Sequence, residues 1–229
     1  TLRWARSQDA TTLDPHSGNT GPNHVMAHNI YEPLVIRSFD GKLQGALATS
    51  WGVLPNDPTT WEFKLRPNVK FHNGNPFTAD DVVISMKRAL MPAAAMRRTS
   101  AWVRMPLSAD MKSLLVGVTD IVKVDDLTVQ FKTAGPNPLL VNNLTNLFIM
   151  DKEWAEANNA ATPQNLREKV ENGATRQAMG TGPFVLVSRE PDVRTVMRVN
   201  PNHWDAANAQ HGITEIVYRP VADAATRVA

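Results

Sequence analysis

The chain has 229 residues, of which 42% are hydrophobic and 20% are charged, the balance of a globular protein that can bury a core. Its 24 Lys and Arg residues and 22 Asp and Glu residues leave a formal net charge of +2, too small a surplus to indicate a polyanionic partner. The absence of cysteine excludes disulfide scaffolds, thiolate metal sites and cysteine nucleophiles. No stretch approaches the roughly 20 apolar residues of a membrane helix, so we expect no insertion into a membrane.

The first half of the sequence alternates strand and helix patterns. Residues 2–7 predict an opening strand, and after a loop rich in Asn, Gly and Pro, apolar residues recur at helical spacing over 22–33. Over 61–65, Trp, Phe and Leu alternate with Glu and Lys, which is the period of a half-buried strand. Asn73 and Gly74 then form a strong turn signal.

The clearest helix start in the sequence lies at Thr78. We expect its side-chain oxygen to cap the helix by accepting a hydrogen bond from the backbone amide of Asp80 or Asp81. Acidic residues also suit this end of a helix, where the macrodipole is positive. The apolar face continues to Leu90, after which Pro92 stops the helix.

The second half of the sequence predicts two hairpins, two short helices, a further strand and the start of a last helix. In chain order these are a hairpin over 122–131, helices over 151–158 and 163–171, a hairpin formed by 184–188 and 194–199, a strand over 213–218 and a helix capped by Asp223. The last helix pattern stops after little more than one turn, which is too short for a stable helix without packing partners. We therefore expect the chain to be the front part of a longer polypeptide.

Motifs of familiar catalysts are absent from the sequence. The adjacent carboxylates at 80–81 and at 125–126 point apart on a helix or strand, so a cap and a turn explain them better than a general acid and base do. The sequence has neither a Gly-x-Ser-x-Gly elbow nor a His-Glu-x-x-His motif. A hydrolase using His16 or His24 is the competing enzyme interpretation, and it lacks a nucleophile. We expect no catalytic residues and no enzymatic activity.

Cofactor and metal sites are not indicated either. Gly180 and Gly182 lack the third glycine of a dinucleotide loop and precede a proline that cannot donate an amide, so a tight backbone approach explains them better. His24 and His28 lie one helical turn apart and can meet one metal ion, with His16 as a conceivable neighbour. Two ligands are too few, and no acidic third ligand is evident. We expect neither a cofactor nor a metal.

A basic stretch lies between Asp81 and Asp110. It contains no acidic residue and includes Trp102. A solvated face is the simplest interpretation, and binding of nucleic acid or another anionic surface is the alternative. A further interpretation is that Trp102 lines a cleft for a small ligand. The basic residues are Lys87, Arg88, Arg97, Arg98 and Arg104.

Nine short motifs, considered together, resemble those of one family, the large bacterial extracellular solute-binding proteins of ABC transporters that take up peptides, nickel chelates and related solutes. Each motif is weak alone, and their order and spacing are specific. They span nearly the whole chain and comprise residues 12–16, 29–35, 40–43, 46–51, 61–74, 76–82, 124–129, 180–184 and 200–204.

The resemblance implies a mixed α/β fold of the type II periplasmic-binding-protein kind. Such proteins have two lobes that close on a ligand, and the second lobe is expected to be missing from this chain. Lobe I is expected to be discontinuous, built from residues 1–42 and 178–229, with an inserted α/β domain over 43–177. In this scheme the strand at 2–7 pairs with a strand that follows Gly182.

The resemblance also implies a ligand-binding site. In similar proteins the ligand meets the loop after the Asp-Pro dipeptide and the start of the next helix, which correspond here to Asn19, Thr20, Gly21 and His24. An aromatic residue from the second segment can also face the cleft, and Trp102 lies where such a residue would fall. We expect these five residues to line one wall of a cleft.

The function implied is that of a periplasmic receptor that captures peptides or similar small solutes and delivers them to the membrane permease of an ABC transporter. Removal of a leader on export would explain why the sequence does not open with a signal peptide. The segment 161–166 is more similar to the dipeptide and oligopeptide branch than to the nickel branch. Nickel-chelate binding remains the alternative. Nucleic acid is not expected as a partner.

Overall fold

The computed structural model describes residues 1–90, 111–166, 168–208 and 212–228, which form two four-stranded sheets, a two-stranded ribbon and several short helices. The strands are β1 (Leu2–Arg6), β2 (Val35–Arg37), β3 (Leu43–Gly45), β4 (Ala48–Leu54), β5 (Asp57–Leu65), β6 (Val118–Asp125), β7 (Thr128–Thr133), β8 (Phe184–Glu190), β9 (Arg194–Val199) and β10 (Glu215–Pro220). The α-helices are α1 (Gly21–Ile30), α2 (Ala79–Leu90), α3 (Leu140–Asn143), α4 (Lys152–Ala157) and α5 (Ala224–Val228). Single 3-10 turns lie at Met111–Leu115, Leu144–Asn146 and Ala206–Asn208.

The first sheet joins the two ends of the chain, with strand order β1-β10-β9-β8. β1 runs parallel to β10, and Leu2 lies opposite Ile216. β8, β9 and β10 pair antiparallel, and the hairpin of β8 and β9 confirms the sequence prediction. The expected pairing of the opening strand with a strand after Gly182 is therefore observed.

The second sheet is antiparallel throughout, with order β4-β5-β7-β6. Along β5 the apolar alternation places Phe63 in the core, where its ring meets that of Phe131 edge to face at 5.2 Å. Helix α2 covers this sheet, and Val82 and Met86 on its apolar face are fully buried. The alternation and the helical period read from the sequence thus produce one sheet-on-helix core.

Each sheet has its own hydrophobic core, and the boundary between the two is bridged by a hydrogen bond from the Met150 amide to the Ser85 hydroxyl of α2 at 2.9 Å. Leu34 belongs to the core of the second sheet although it directly follows α1. Phe148 and Met150 follow the second sheet in sequence and belong to the core of the first. We propose that residues 1–42 with 178–229, and residues 43–177, are two domains of one lobe, joined through this boundary.

Residues 163–171 do not form the expected helix. Their described part contains an isolated bridge between Asn165 and Val170, and Lys169 has φ of 54°, which a right-handed helix cannot include. The Asn165 carbonyl accepts from the backbone amide of Val170 at 3.2 Å, five residues along the chain instead of the four of an α-helix, so the segment closes a turn that ends at Lys169.

The start of α2 differs in detail from the prediction. The Thr78 hydroxyl does not accept from an amide of the helix; it donates to the Asp81 carboxylate at 3.2 Å, and the same carboxylate accepts from the Thr78 amide at 2.9 Å. Asp81 is buried, so its carboxylate requires donors, and the backbone amide of Lys152 is a further one at 3.0 Å. Burial raises the pKa of Asp81 despite these bonds. Asp223 caps α5 as predicted, since its carboxylate accepts from the Thr226 amide at 2.8 Å.

No helix in the described parts of the chain is long and apolar enough to cross a membrane.

Candidate ligand-binding site

The loop between β1 and α1 changes from buried to exposed just before the helix. Residues 12–18 are all buried, Asn19 is half-buried, and Thr20 and Gly21 are exposed. The structure thus brings four predicted site residues together, because Asn19, Thr20, Gly21 and His24 lie within one turn of the start of α1. Trp102, the fifth, lies outside the described residues.

Thr20 occupies the N-cap position of α1 in an extended conformation, and its hydroxyl makes no capping hydrogen bond. The Thr20 carbonyl accepts from the backbone amide of His24 at 3.0 Å. The first turn of the helix contains no acidic residue, and since Pro22 carries no amide hydrogen, the amides of Gly21 and Asn23 are the ones left without an intrahelical acceptor. This end of α1 therefore offers hydrogen-bond donors and a hydroxyl without a fixed negative charge.

Asn23 shapes the loop from within, and the sequence analysis missed it. Its side-chain oxygen accepts from the Thr11 amide at 2.9 Å, and its side-chain amide donates to the Gly18 carbonyl at 3.4 Å. A Cβ at position 18 would lie 2.7 Å from the Asn23 amide nitrogen, so Gly18 permits this close approach. Asn23 thereby joins both arms of the loop that leads to Asn19.

His24 and His28 pack against Phe148. Their rings meet the Phe148 ring edge to face, with centroids 6.1 Å and 4.8 Å away. Burial lowers the pKa of both histidines, so the neutral imidazole is favoured. Within the described ranges, no three His, Asp or Glu side chains are placed to hold a metal ion. The helical spacing of the two histidines is explained by their shared packing on Phe148.

A small cavity lies behind the loop. Its volume is about 10 Å³, about the room that one water molecule needs, so a peptide or similar solute cannot be bound there. The Nε2 atom of His24 is buried and has no hydrogen-bond partner. The lining comprises residues 12–15, Gly18, Asn23, His24, Ala27, Ile30, Tyr31 and Phe148.

A buried ion pair holds the loop from behind. Asp14 and Arg88 are 2% and 1% exposed, and the guanidinium bonds both carboxylate oxygens, at 2.7 and 2.6 Å. Burial alone would raise the pKa of Asp14. The Arg88 charge opposes this effect and helps to hold that pKa well below its usual range. Arg88 was expected on a solvated basic face, and this was wrong, because it lies on the buried side of α2. Lys87, its neighbour, does reach solvent.

His16 links this ion pair to Phe148. Its Nδ1 atom accepts from Arg88 at 2.9 Å, so Nε2 carries the proton and donates to the Phe148 carbonyl at 2.8 Å. Burial and the neighbouring Arg88 charge lower the pKa of His16 to about 4. His16 is therefore a neutral structural side chain.

A second polar cluster joins the two sheets near the end of α1. The Glu32 carboxylate accepts from the Thr181 hydroxyl at 2.8 Å and from the Trp204 indole at 3.0 Å. A Cβ at position 180 would lie 2.2 Å from the carbonyl oxygen of Ile30, which confirms that Gly180 allows a tight backbone approach. Arg66, from the other sheet, stacks on Trp204 at 3.8 Å.

Similarity to known proteins places these features in a family. The model of the bacterial extracellular solute-binding proteins, family 5 Middle, matches residues 42–229. The periplasmic oligopeptide-binding protein OppA of Escherichia coli (strain K12) is 27% identical over 100% of this chain and 40% of its own length. The glutathione-binding protein GsiB of Pectobacterium atrosepticum is 29% identical over 96% of this chain and 38% of its own length. The chain thus spans about 40% of the length of these relatives.

Solved structures show the same fold. The periplasmic binding protein DppA from Helicobacter pylori, in complex with the peptide STSA, superimposes with a TM-score of 0.76 and 26% identity, over 99% of this chain and 44% of its own. The OppA structure from Burkholderia pseudomallei gives a TM-score of 0.78 at 21% identity, over 99% of this chain and 43% of its own. The mixed α/β architecture is accordingly that of a type II periplasmic binding protein. The chain belongs to the bacterial extracellular solute-binding proteins of family 5.

Proposed function

We propose that this chain forms one wall of the ligand cleft in a periplasmic receptor that captures peptides or similar small solutes and delivers them to an ABC transporter permease. The observation that carries the proposal is the junction of loop and helix at 19–24. Exposed polar groups lie there directly after the buried residues 12–18, which are held by many hydrogen bonds. Family membership and relatives named for oligopeptide and glutathione binding support it.

The chemistry of the junction suits a neutral, hydrogen-bonding part of a ligand. Residues 17–24 contain no Asp, Glu, Lys or Arg, and burial keeps His24 neutral. The groups on offer are the Asn19 side-chain amide, the Thr20 hydroxyl and the backbone amide of Gly21. Carbonyl and amide groups of a peptide main chain are the natural partners of such donors and acceptors. The charged termini of a peptide would then be bound elsewhere in the receptor.

The opposing wall is proposed to come from a second lobe, since more than half of the relatives' length has no counterpart in this chain. A ligand that bridges two lobes binds the closed state better than the open state and shifts their equilibrium by that difference. One wall alone makes fewer contacts while the entropy loss of association remains. This chain by itself should therefore bind the cargo far more weakly than the complete receptor.

The test uses the complete receptor and isothermal titration calorimetry with three probes: the peptide Ser-Thr-Ser-Ala, glutathione and a nickel–histidine chelate. Binding of at least one of the first two is expected, and Thr20→Ala should weaken it about 3- to 10-fold, the loss of one hydrogen bond. Thr119→Ala is the matched control, because Thr119 is an exposed threonine on β6 whose hydroxyl bonds the Lys132 carbonyl. Its affinity should equal that of the wild type.

Two results would contradict the proposal. Binding of the nickel chelate without either peptide would assign a different cargo. Equal affinities of wild type and Thr20→Ala would remove the junction at 19–24 from the ligand wall, even if a peptide binds.

A further inference from the structure

The Asp14–Arg88 pair connects the proposed ligand wall to the second sheet. Arg88 lies in the last turn of α2, which covers that sheet, whereas Asp14 lies in the loop that leads to Asn19. Asp14 also accepts from the backbone amide of His16 at 3.0 Å and from the Asn172 side chain at 2.8 Å. The carboxylate therefore organises the loop on one side and binds Arg88 on the other.

Every N–H group of the Arg88 guanidinium has an acceptor. Nε donates to the Ala160 carbonyl at 2.8 Å; Nη1 donates to Asp14 and His16; Nη2 donates to Asp14 and, at 3.0 Å, to the Thr162 carbonyl. A lysine has three donors on one nitrogen and cannot reproduce this planar arrangement. Arg88 thus holds the loop and the segment 160–162 in one fixed relation.

The contacts continue from Arg88 to the ligand wall. Arg88 bonds His16, His16 bonds the Phe148 carbonyl, and the Phe148 ring packs against His24 in α1. Two routes therefore run from Arg88 to the junction at 19–24, one through the loop backbone at Asp14 and one through Phe148. Fully buried ion pairs frequently add little stability compared with apolar packing. A role in selecting one loop conformation accounts for the pair better than a role in stability.

We infer that Arg88 is a positioning residue: it fixes the conformation of the loop at 12–20 and thereby sets the ligand affinity of a wall that it does not touch. The inference rests on the proposed function, because that function gives the loop its contact with the ligand. The fixed loop conformation itself is measurable without any ligand, so the two can fail separately.

The test compares Arg88→Lys with the wild type in the complete receptor, by amide hydrogen exchange and by affinity for Ser-Thr-Ser-Ala. Exchange within 12–20 should become at least about 10-fold faster while the amides of β5 keep their protection, and the dissociation constant should rise by about 10-fold. Ile121→Ala is the control, since it opens a cavity in the core of the second sheet. It should lower the melting temperature without changing loop exchange or affinity.

Asn172→Ala extends the test if Arg88→Lys does not fold. It removes one donor from Asp14 and one from the Thr162 carbonyl without leaving a buried charge unpaired. The same loop amides should exchange faster, by a smaller factor. Loop protection equal to that of the wild type, or faster exchange spread evenly over both sheets, would overturn the inference. A wild type that binds neither Ser-Thr-Ser-Ala nor glutathione would contradict the proposed cargo, and the exchange pattern would still decide the role of Arg88.

Discussion

Acidification should destabilise this fold through His16. The pKa of this histidine falls from an ordinary 6.5 to about 4, because burial and the Arg88 charge disfavour the imidazolium. Between these two values the unfolded chain binds a proton that the folded chain does not, so stability is full above about pH 6.5 and falls as the pH drops toward 4. A change from pH 7.5 to pH 5 should remove about 2 kcal/mol from the free energy of unfolding through this residue alone.

Urea denaturation at these two pH values measures the effect, and His16→Gln isolates it. The glutamine amide can still donate to the Phe148 carbonyl but does not titrate. Burial lowers the pKa of His24, His28 and His72 as well, so their contributions have the same sign and cancel in the comparison. Asp14 titrates below this range. Equal losses of stability in the wild type and His16→Gln would refute the argument.

Two further predictions concern packing and the start of α2. Gly180→Ala should lower the free energy of unfolding by about 1–3 kcal/mol, because the new Cβ would lie 2.2 Å from the backbone oxygen of Ile30. Gly52→Ala, where a Cβ meets nothing within 4 Å, should leave the melting temperature nearly unchanged, and equal losses in the two variants would contradict the clash. Asp81→Ala should lower the urea midpoint more than Thr78→Ala does, because the Asp81 carboxylate accepts from three donors and the Thr78 hydroxyl makes one of those bonds. The reverse order would show that the hydroxyl, not the carboxylate, caps the helix.

Hydrophobic periodicity in the sequence was enough to predict the strands and helices whose buried side chains recur at the same period. The alternation at 61–65 predicts β5, and the apolar face that begins after Thr78 predicts α2, since in both cases one face packs on a neighbouring element. β4 was missed, because an edge strand with a glycine and a single fully buried side chain shows no clear alternation.

The candidate site was located through family resemblance, and its supporting residues were not found. Asp14 occurs within a recognised motif, but nothing in the local sequence indicates which basic residue binds it. Arg88 carried one available signal: Asp81, Ser85 and Arg88 recur at helical spacing on the buried side of α2. The contact between Asp14 and Arg88 follows from the tertiary arrangement rather than from neighbouring residues.

The parallel pairing of β1 with β10 imposes an order on folding. In the second sheet the hairpins of β4 with β5 and of β6 with β7 close short loops, and β5 pairs with β7 across 64 positions at Lys64 and Thr128, a much smaller separation than that between β1 and β10, so this sheet can form early. In the first sheet β1 pairs only with β10, which lies near the other end of the chain. Until β10 has formed, the backbone of β1 is an unpaired edge that can bind wrong partners. The sheet that supports the loop at 12–20 is therefore expected to assemble last, and mutations in β10 should impair the yield of folded protein through the opening strand.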